Sequence, residues 1–131
     1  MIGNKVIQDF ARLESEIAAK KGDFVLFALL WRGKLPNRWD LIVAAPWIGG
    51  HSMESVQYFV DEIKSLLGPQ ALMSLSRIVV FDPYHVEVEA FNRAVQVEHG
   101  DIEIRDRDLF GQTIKEAHII TSKLPAAPVV K

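Results

Sequence analysis

Hydrophobic residues recur in distinct rhythms along this chain, and each rhythm predicts an element. Between Asn4 and Lys21, the residues Val6, Phe10, Leu13 and Ile17 fall at i, i+4, i+7 and i+11, the stripe of an amphipathic helix. Asn4 suits its N-cap, Lys20 and Lys21 suit the negative end of the helix dipole, and Gly22 supplies a left-handed stop. Phe24–Trp31 (FVLFALLW) is apolar at every position, which predicts a central strand covered on both faces. The polar loop Arg32–Arg38 (RGKLPNR) turns the chain back. Leu41–Ala45 then becomes the antiparallel neighbour of the first strand, with Trp31 and Trp39 close together at one end of the hairpin.

A second helical stripe follows at Val56, Phe59, Val60, Ile63, Leu66 and Leu67, with Ser52 as its N-cap and Gly68-Pro69 as its stop. Gln70–Leu75 is short and ambiguous. Arg77–Phe81 (RIVVF) reads as another covered strand, and the helix between makes it parallel to Leu41–Ala45. Asp82-Pro83 has the pattern of a helix start, and Val88, Phe91 and Val95 give a helical face beyond it, although Val86-Glu87-Val88-Glu89 also alternates like a strand. Val95–Ile104 (VQVE-HG-DIEI) predicts a tight hairpin at His99-Gly100, with Val97 opposite Ile102 and Val95 opposite Ile104. Asp106–Gly111 reads as a charged loop and Thr113–Thr121 as a final strand.

These elements predict an α/β fold. It is a single domain over residues 1–124, a mixed β-sheet flanked by helices in the order α-β-β-α-β-α-β-β-β, with a C-terminal antiparallel hairpin. Pro125 and Pro128 make 125–131 a tail.

Composition narrows the function classes. The 131 residues carry 15 Lys and Arg against 17 Asp and Glu, a net charge of −2 that gives no reason to expect nucleic acid as a partner. There is no cysteine, which excludes disulfides, zinc-thiolate sites and thiol catalysis. The N-terminus lacks the pattern of a secretory signal, and the longest apolar run is far short of the roughly 20 residues of a membrane span. The expected location is cytoplasmic, with no membrane partner.

Parallel strands at 41–45 and 77–81 open their C-terminal ends to one side, where α/β sheets bind ligands. The candidate ligand-binding residues there are Gly49, Gly50, His51 and Ser52 from one loop and Asp82, Tyr84 and His85 from the other. Paired glycines before a helix can present backbone N–H groups to an anion, and His51, Asp82 and His85 are groups that can supply acid–base chemistry or bind a metal. No residue gains a catalytic or metal-binding assignment from its motif, and no cofactor is indicated. His118 reads as a structural residue in a mixed strand. Trp31, Trp39, Trp47 and Phe110 lie at element ends or in a charged loop, where aromatic side chains serve as interface anchors.

The stretch Leu29–Val43 (LLWRGKLPNRWDLIV) resembles small nucleotidyltransferases of the DNA polymerase β type. Those place a Gly-Ser turn and an Asp-x-Asp motif ahead of a helix and a strand. The resemblance implies that Asp40 stands as the second aspartate and that Val79–Pro83 (VVFDP) offers a third carboxylate in Asp82. The Gly-Ser turn is absent and Arg38 occupies the first aspartate position, where its charge opposes a Mg²⁺ pair. An inactive relative is what the resemblance then implies. The functional expectation from sequence is a non-catalytic binding module that self-associates or engages a protein partner. The alternative is a small-molecule or nucleotide-utilising enzyme with its site in loops 47–52 and 82–85.

Overall fold

A computed structural model describes residues 2–48 and 52–125 of the chain. In chain order the elements are α1 (Asn4–Lys21), β1 (Leu26–Trp31), β2 (Trp39–Ala44), α2 (Ser52–Leu67), α3 (Pro69–Met73), β3 (Leu75–Val80), α4 (Val86–Ala94), β4 (Ile102–Leu109) and β5 (Gln112–Ser122). One five-stranded sheet has the order β3-β2-β1-β5-β4. Only the β2–β3 pair is parallel, and the other three are antiparallel. The mixed sheet, its flanking helices and its C-terminal antiparallel hairpin are as the sequence predicts. No described helix is long and apolar enough to cross a membrane.

The unbroken apolar run of β1 is explained by its place in the middle of the sheet. Alternate residues feed two separate cores. Phe27 and Leu29 join Leu41 and Val43 beneath Phe10, Leu13 and Ile17 of α1 and Phe59 and Ile63 of α2. Leu26, Ala28 and Leu30 join Ile42, Ala44, Ala117 and Ile119 on the opposite face, beneath Val88 and Phe91 of α4. The tip of the β4–β5 hairpin also folds over this second face. Its Phe110 ring sits 5.3 Å from Phe81 and 5.2 Å from Phe91. Asn92 of α4, fully buried, donates to the Val25 carbonyl at 2.8 Å and to Ser122 Oγ at 3.0 Å, which ties the helix to the ends of β1 and β5.

Several local expectations are corrected. The N-cap position of α1 is Gly3, with no side-chain cap, and Asn4 is already helical. The ambiguous segment after Gly68 is the short helix α3. Helix α4 starts three residues later than Asp82-Pro83 suggests. Asp82 Oδ1 accepts from the Tyr84 N–H at 2.8 Å in a local turn, and His85 is the cap, its Nδ1 accepting from the Glu87 N–H at 3.1 Å.

The largest correction concerns the hairpin expected at His99-Gly100. Val97 instead bridges to Ser122, and the Gly100 N–H donates to the Ile120 carbonyl. The charged segment expected as a loop belongs to β4, and the hairpin turns at Phe110-Gly111, both with positive φ (52° and 76°). The reason is burial. A lone two-stranded ribbon is marginal in water, whereas β5 inserted between β1 and β4 buries Ala117 and Ile119 completely. The charges of β4 then suit an edge strand, since they discourage pairing with another chain.

Candidate functional site

Strand register assembles a polar row on the face of the second core. Leu30 pairs with Asp40 across β1 and β2, and Asp40 pairs with Arg77 across β2 and β3. Arg32 lies two residues beyond Leu30, so period-two alternation turns it to the same face. Asp40 is 1 % exposed, and its Oδ2 lies 3.2 Å from Arg32 Nε and 3.1 Å from Arg77 Nε. Its Oδ1 is buried without a hydrogen-bond partner. The two guanidiniums offset the buried charge, Arg77 through a hydrogen bond from its Nε and Arg32 through an ion pair at its Nε.

The loop 32–38 builds a wall beside this row. Gly33 has φ of 82°, and a Cβ there would meet Lys115 Cγ at 2.4 Å, so the position requires glycine. The Trp31 indole donates to the Leu35 carbonyl at 3.0 Å and pins the loop from inside. Lys34 and Arg38 are exposed, with no side-chain partner among the described residues. Arg32, Lys34, Leu35, Arg38 and Ser76 enclose a cavity of about 360 Å³. Arg32 thus belongs both to the Asp40 ion pairs and to a cavity wall that it shares with Lys34 and Arg38, on a chain whose net charge is −2.

The loops expected to carry ligand-binding residues are placed differently. Gly49, Gly50 and His51 lie outside the described residues, as does the side chain of Ser52, the first residue of α2. β2 and β3 are parallel, so Asp82, Tyr84 and His85 do stand at the expected end of the sheet. All three are exposed, and the acceptors of Asp82 and His85 hold backbone N–H groups of their own turn. Cavities of about 380 and 300 Å³ flank Trp47, and neither is lined by Asp82, Tyr84 or His85. Asp40 and Asp82 sit at opposite ends of parallel strands, roughly 17 Å apart at about 3.3 Å per residue. They do not form one carboxylate cluster.

The four aromatic residues expected at an interface are largely occupied inside the chain. Trp39 is 4 % exposed in the first core. Trp47 packs on Phe24, Tyr58 and Phe59 and donates to the Gly22 carbonyl at 2.9 Å. Phe110 covers Phe81 and Phe91, and Trp31 is half-buried against the first core.

A second polar set lies under α1. Glu14, fully buried, accepts from Thr121 Oγ1 at 3.1 Å and faces His99 Nδ1 at 2.7 Å. The hydrogen bond to Glu14 raises the His99 pKa above its ordinary 6.5. Burial opposes that shift, and the charges of Glu14, Glu98 and Asp23 reinforce it. A raised folded-state value stabilises the fold fully below pH 6.5, and the contribution is lost as pH rises through the folded value. Urea midpoints are therefore expected to fall through this group as pH rises above about 6.5. His99→Asn, which tolerates the positive φ of 51°, is expected to flatten that part of the profile. An unchanged profile in the variant would assign the dependence elsewhere.

Sequence reading missed the Arg32–Asp40–Arg77 row because its members are joined only by sheet register. The one available signal was three cations within the seven residues Arg32–Arg38. Comparison of the chain with protein-family models, curated proteins and solved structures finds no match.

Proposed function

We propose that this protein is a non-catalytic binding module whose ligand is a small anion, a phosphate or carboxylate, seated among Arg32, Lys34 and Arg38. One observation carries the reading: the buried Asp40 carboxylate holds Arg32 and Arg77 by their Nε atoms beside a cavity lined by two further, unpaired cations. A guanidinium fixed at Nε keeps its plane and offers its terminal N–H groups as a preformed fork for an oxyanion. The cavity of about 360 Å³ is in the size range of small-molecule sites. Leu35, 58 % exposed at its rim, gives an apolar contact for the body of an organic anion.

Calorimetric titration at low ionic strength with inorganic phosphate and with a dicarboxylate tests this. The double variant Lys34→Ala/Arg38→Ala removes only exposed side chains, so the fold is expected to persist. Anion affinity is expected to drop at least tenfold, a loss of about 1.4 kcal/mol, and salt is expected to weaken the native protein's binding. Equal affinity in native and variant chains would reject the site. The enzyme alternative has less support, because Asp82 and His85 are engaged in shaping their own turn. Self-association has less support too, since the aromatic residues that suggested it mostly pack within the chain.

A further inference from the structure

The β4–β5 register brings onto one face two pairs of polar residues that lie 15 and 11 positions apart in the sequence. Glu103 pairs with His118, and Arg105 pairs with Glu116. One coordinating atom from each of Glu103, Glu116 and His118 lies within 4.8 Å of the others. The Glu116 and His118 side chains are 2 % and 4 % exposed, while Glu103 is 43 % exposed and opens the group to solvent.

The imidazole is held between carboxylates. His118 Nδ1 lies 2.9 Å from Asp101 Oδ1, and Nε2 lies 2.6 Å from Glu116 Oε2 and 3.9 Å from Glu103 Oε1. With Asp101 accepting from the Nδ1 N–H, Nε2 is the ring atom that can bind a cation seated beside the two carboxylates. The arrangement of carboxylate, imidazole and ion is the one that orients metal-bound histidines in general.

A second observation points the same way. Glu116 Oε1 is buried and has no hydrogen-bond partner, although Oε2 accepts from the Ile2 N–H at 3.2 Å as well as meeting His118. Arg105 Nη1 lies 3.9 Å from Oε1, and the Nε of the same guanidinium donates to Glu103. One guanidinium thus lies near both Oε1 and Glu103. Three carboxylates against one guanidinium leave two negative charges, which a divalent ion neutralises.

The geometry points to a divalent-metal site formed by Glu103, Glu116 and His118, with Asp101 as the positioning residue on the far side of the ring. One nitrogen and two carboxylate donors, with no thiolate, suit Zn²⁺ or Mn²⁺ better than Ca²⁺ or Mg²⁺. The trio Asp23, Glu98 and His99 is a weaker candidate, because all three of its members are exposed, whereas Glu116 and His118 are buried.

The test is Zn²⁺ titration of the chelator-treated full chain by calorimetry, with imidazole ¹⁵N spectra recorded alongside. The expected result is one ion per chain, with the His118 Nε2 resonance moving and its Nδ1 proton retained. Glu103→Gln alters an exposed side chain and is expected to weaken binding at least tenfold. Asp101→Asn is expected to weaken it 10- to 100-fold, as for other residues that orient a metal-bound histidine. Arg105→Gln removes a competing cation and is expected to tighten it, which a merely misfolded variant cannot do. Absence of binding, equal affinity in Glu103→Gln, or loss of binding in His99→Asn instead would each overturn the assignment.

Discussion

The double variant Arg32→Ala/Arg77→Ala is expected to lose about 3 kcal/mol of stability, the low end of the cost of breaking a buried ion pair. The low end applies because the two arginine side chains are 32 % and 42 % exposed, whereas Asp40 is 1 % exposed. For a chain of this size that corresponds to a fall in melting temperature of roughly 10 °C. The mechanism is the orphaned carboxylate rather than the lost attraction. Adding Asp40→Leu to the double variant is therefore expected to recover most of the loss, since an apolar residue of similar volume needs no partner there. Thermal and urea unfolding of the native, double and triple variants separate the two effects. A double variant as stable as the native chain would mean that Asp40 needs neither arginine, and the anchored guanidinium plane behind the anion site would fall with it.

Phe24→Ala is expected to cost about 3–5 kcal/mol, the range for truncating a fully buried aromatic residue. Phe24 is 0 % exposed, and its ring centroid lies 5.0 Å from Phe27, 5.4 Å from Trp47 and 6.1 Å from Phe59. Edge-on contacts to Phe27 and Trp47 add about 0.5–1.5 kcal/mol each beyond area burial. The same ring supports Trp47, so the Trp47 environment reports the damage. Urea unfolding followed by tryptophan fluorescence is expected to show a lower midpoint with an unchanged slope. A loss below about 1 kcal/mol would mean that the surrounding rings close over the gap.

Elements that rest on local pattern were legible in the sequence. The stripe Phe10, Leu13, Ile17 named the buried face of α1, and FVLFALLW named a strand covered on both sides. What failed were choices between competing pairings. Val95–Ile104 carries good hairpin chemistry, yet its two halves each gain more by joining β5, a decision made by burial about 20 residues away. That displaced hairpin also concealed the Glu103–His118 and Arg105–Glu116 pairs, because the expected register set Glu103 against Gln96. Asp82-Pro83 has the composition of a helix start, but Asp82 closes a turn on Tyr84 and leaves capping to His85. Arg77 and Asp40 are 37 positions apart and meet only because β2 and β3 run parallel. The polar clusters were invisible for one physical reason: sheet register, not sequence proximity, decides which side chains share a face.

The strand order has a further consequence for how the chain reaches this fold. β1 is central, yet one of its two neighbours is β5, and Leu26 pairs with Ser122. During synthesis β1 and β2 emerge early, and one side of β1 keeps unpaired backbone groups until almost the whole described chain exists. Such long-range closure slows folding relative to hairpin-first topologies. It also leaves the apolar β1 as a template for foreign strands in the interval. A nascent chain stalled before Gln112 therefore holds most of its hydrophobic residues without the strand that completes their burial, and protection by a chaperone matters most at that length.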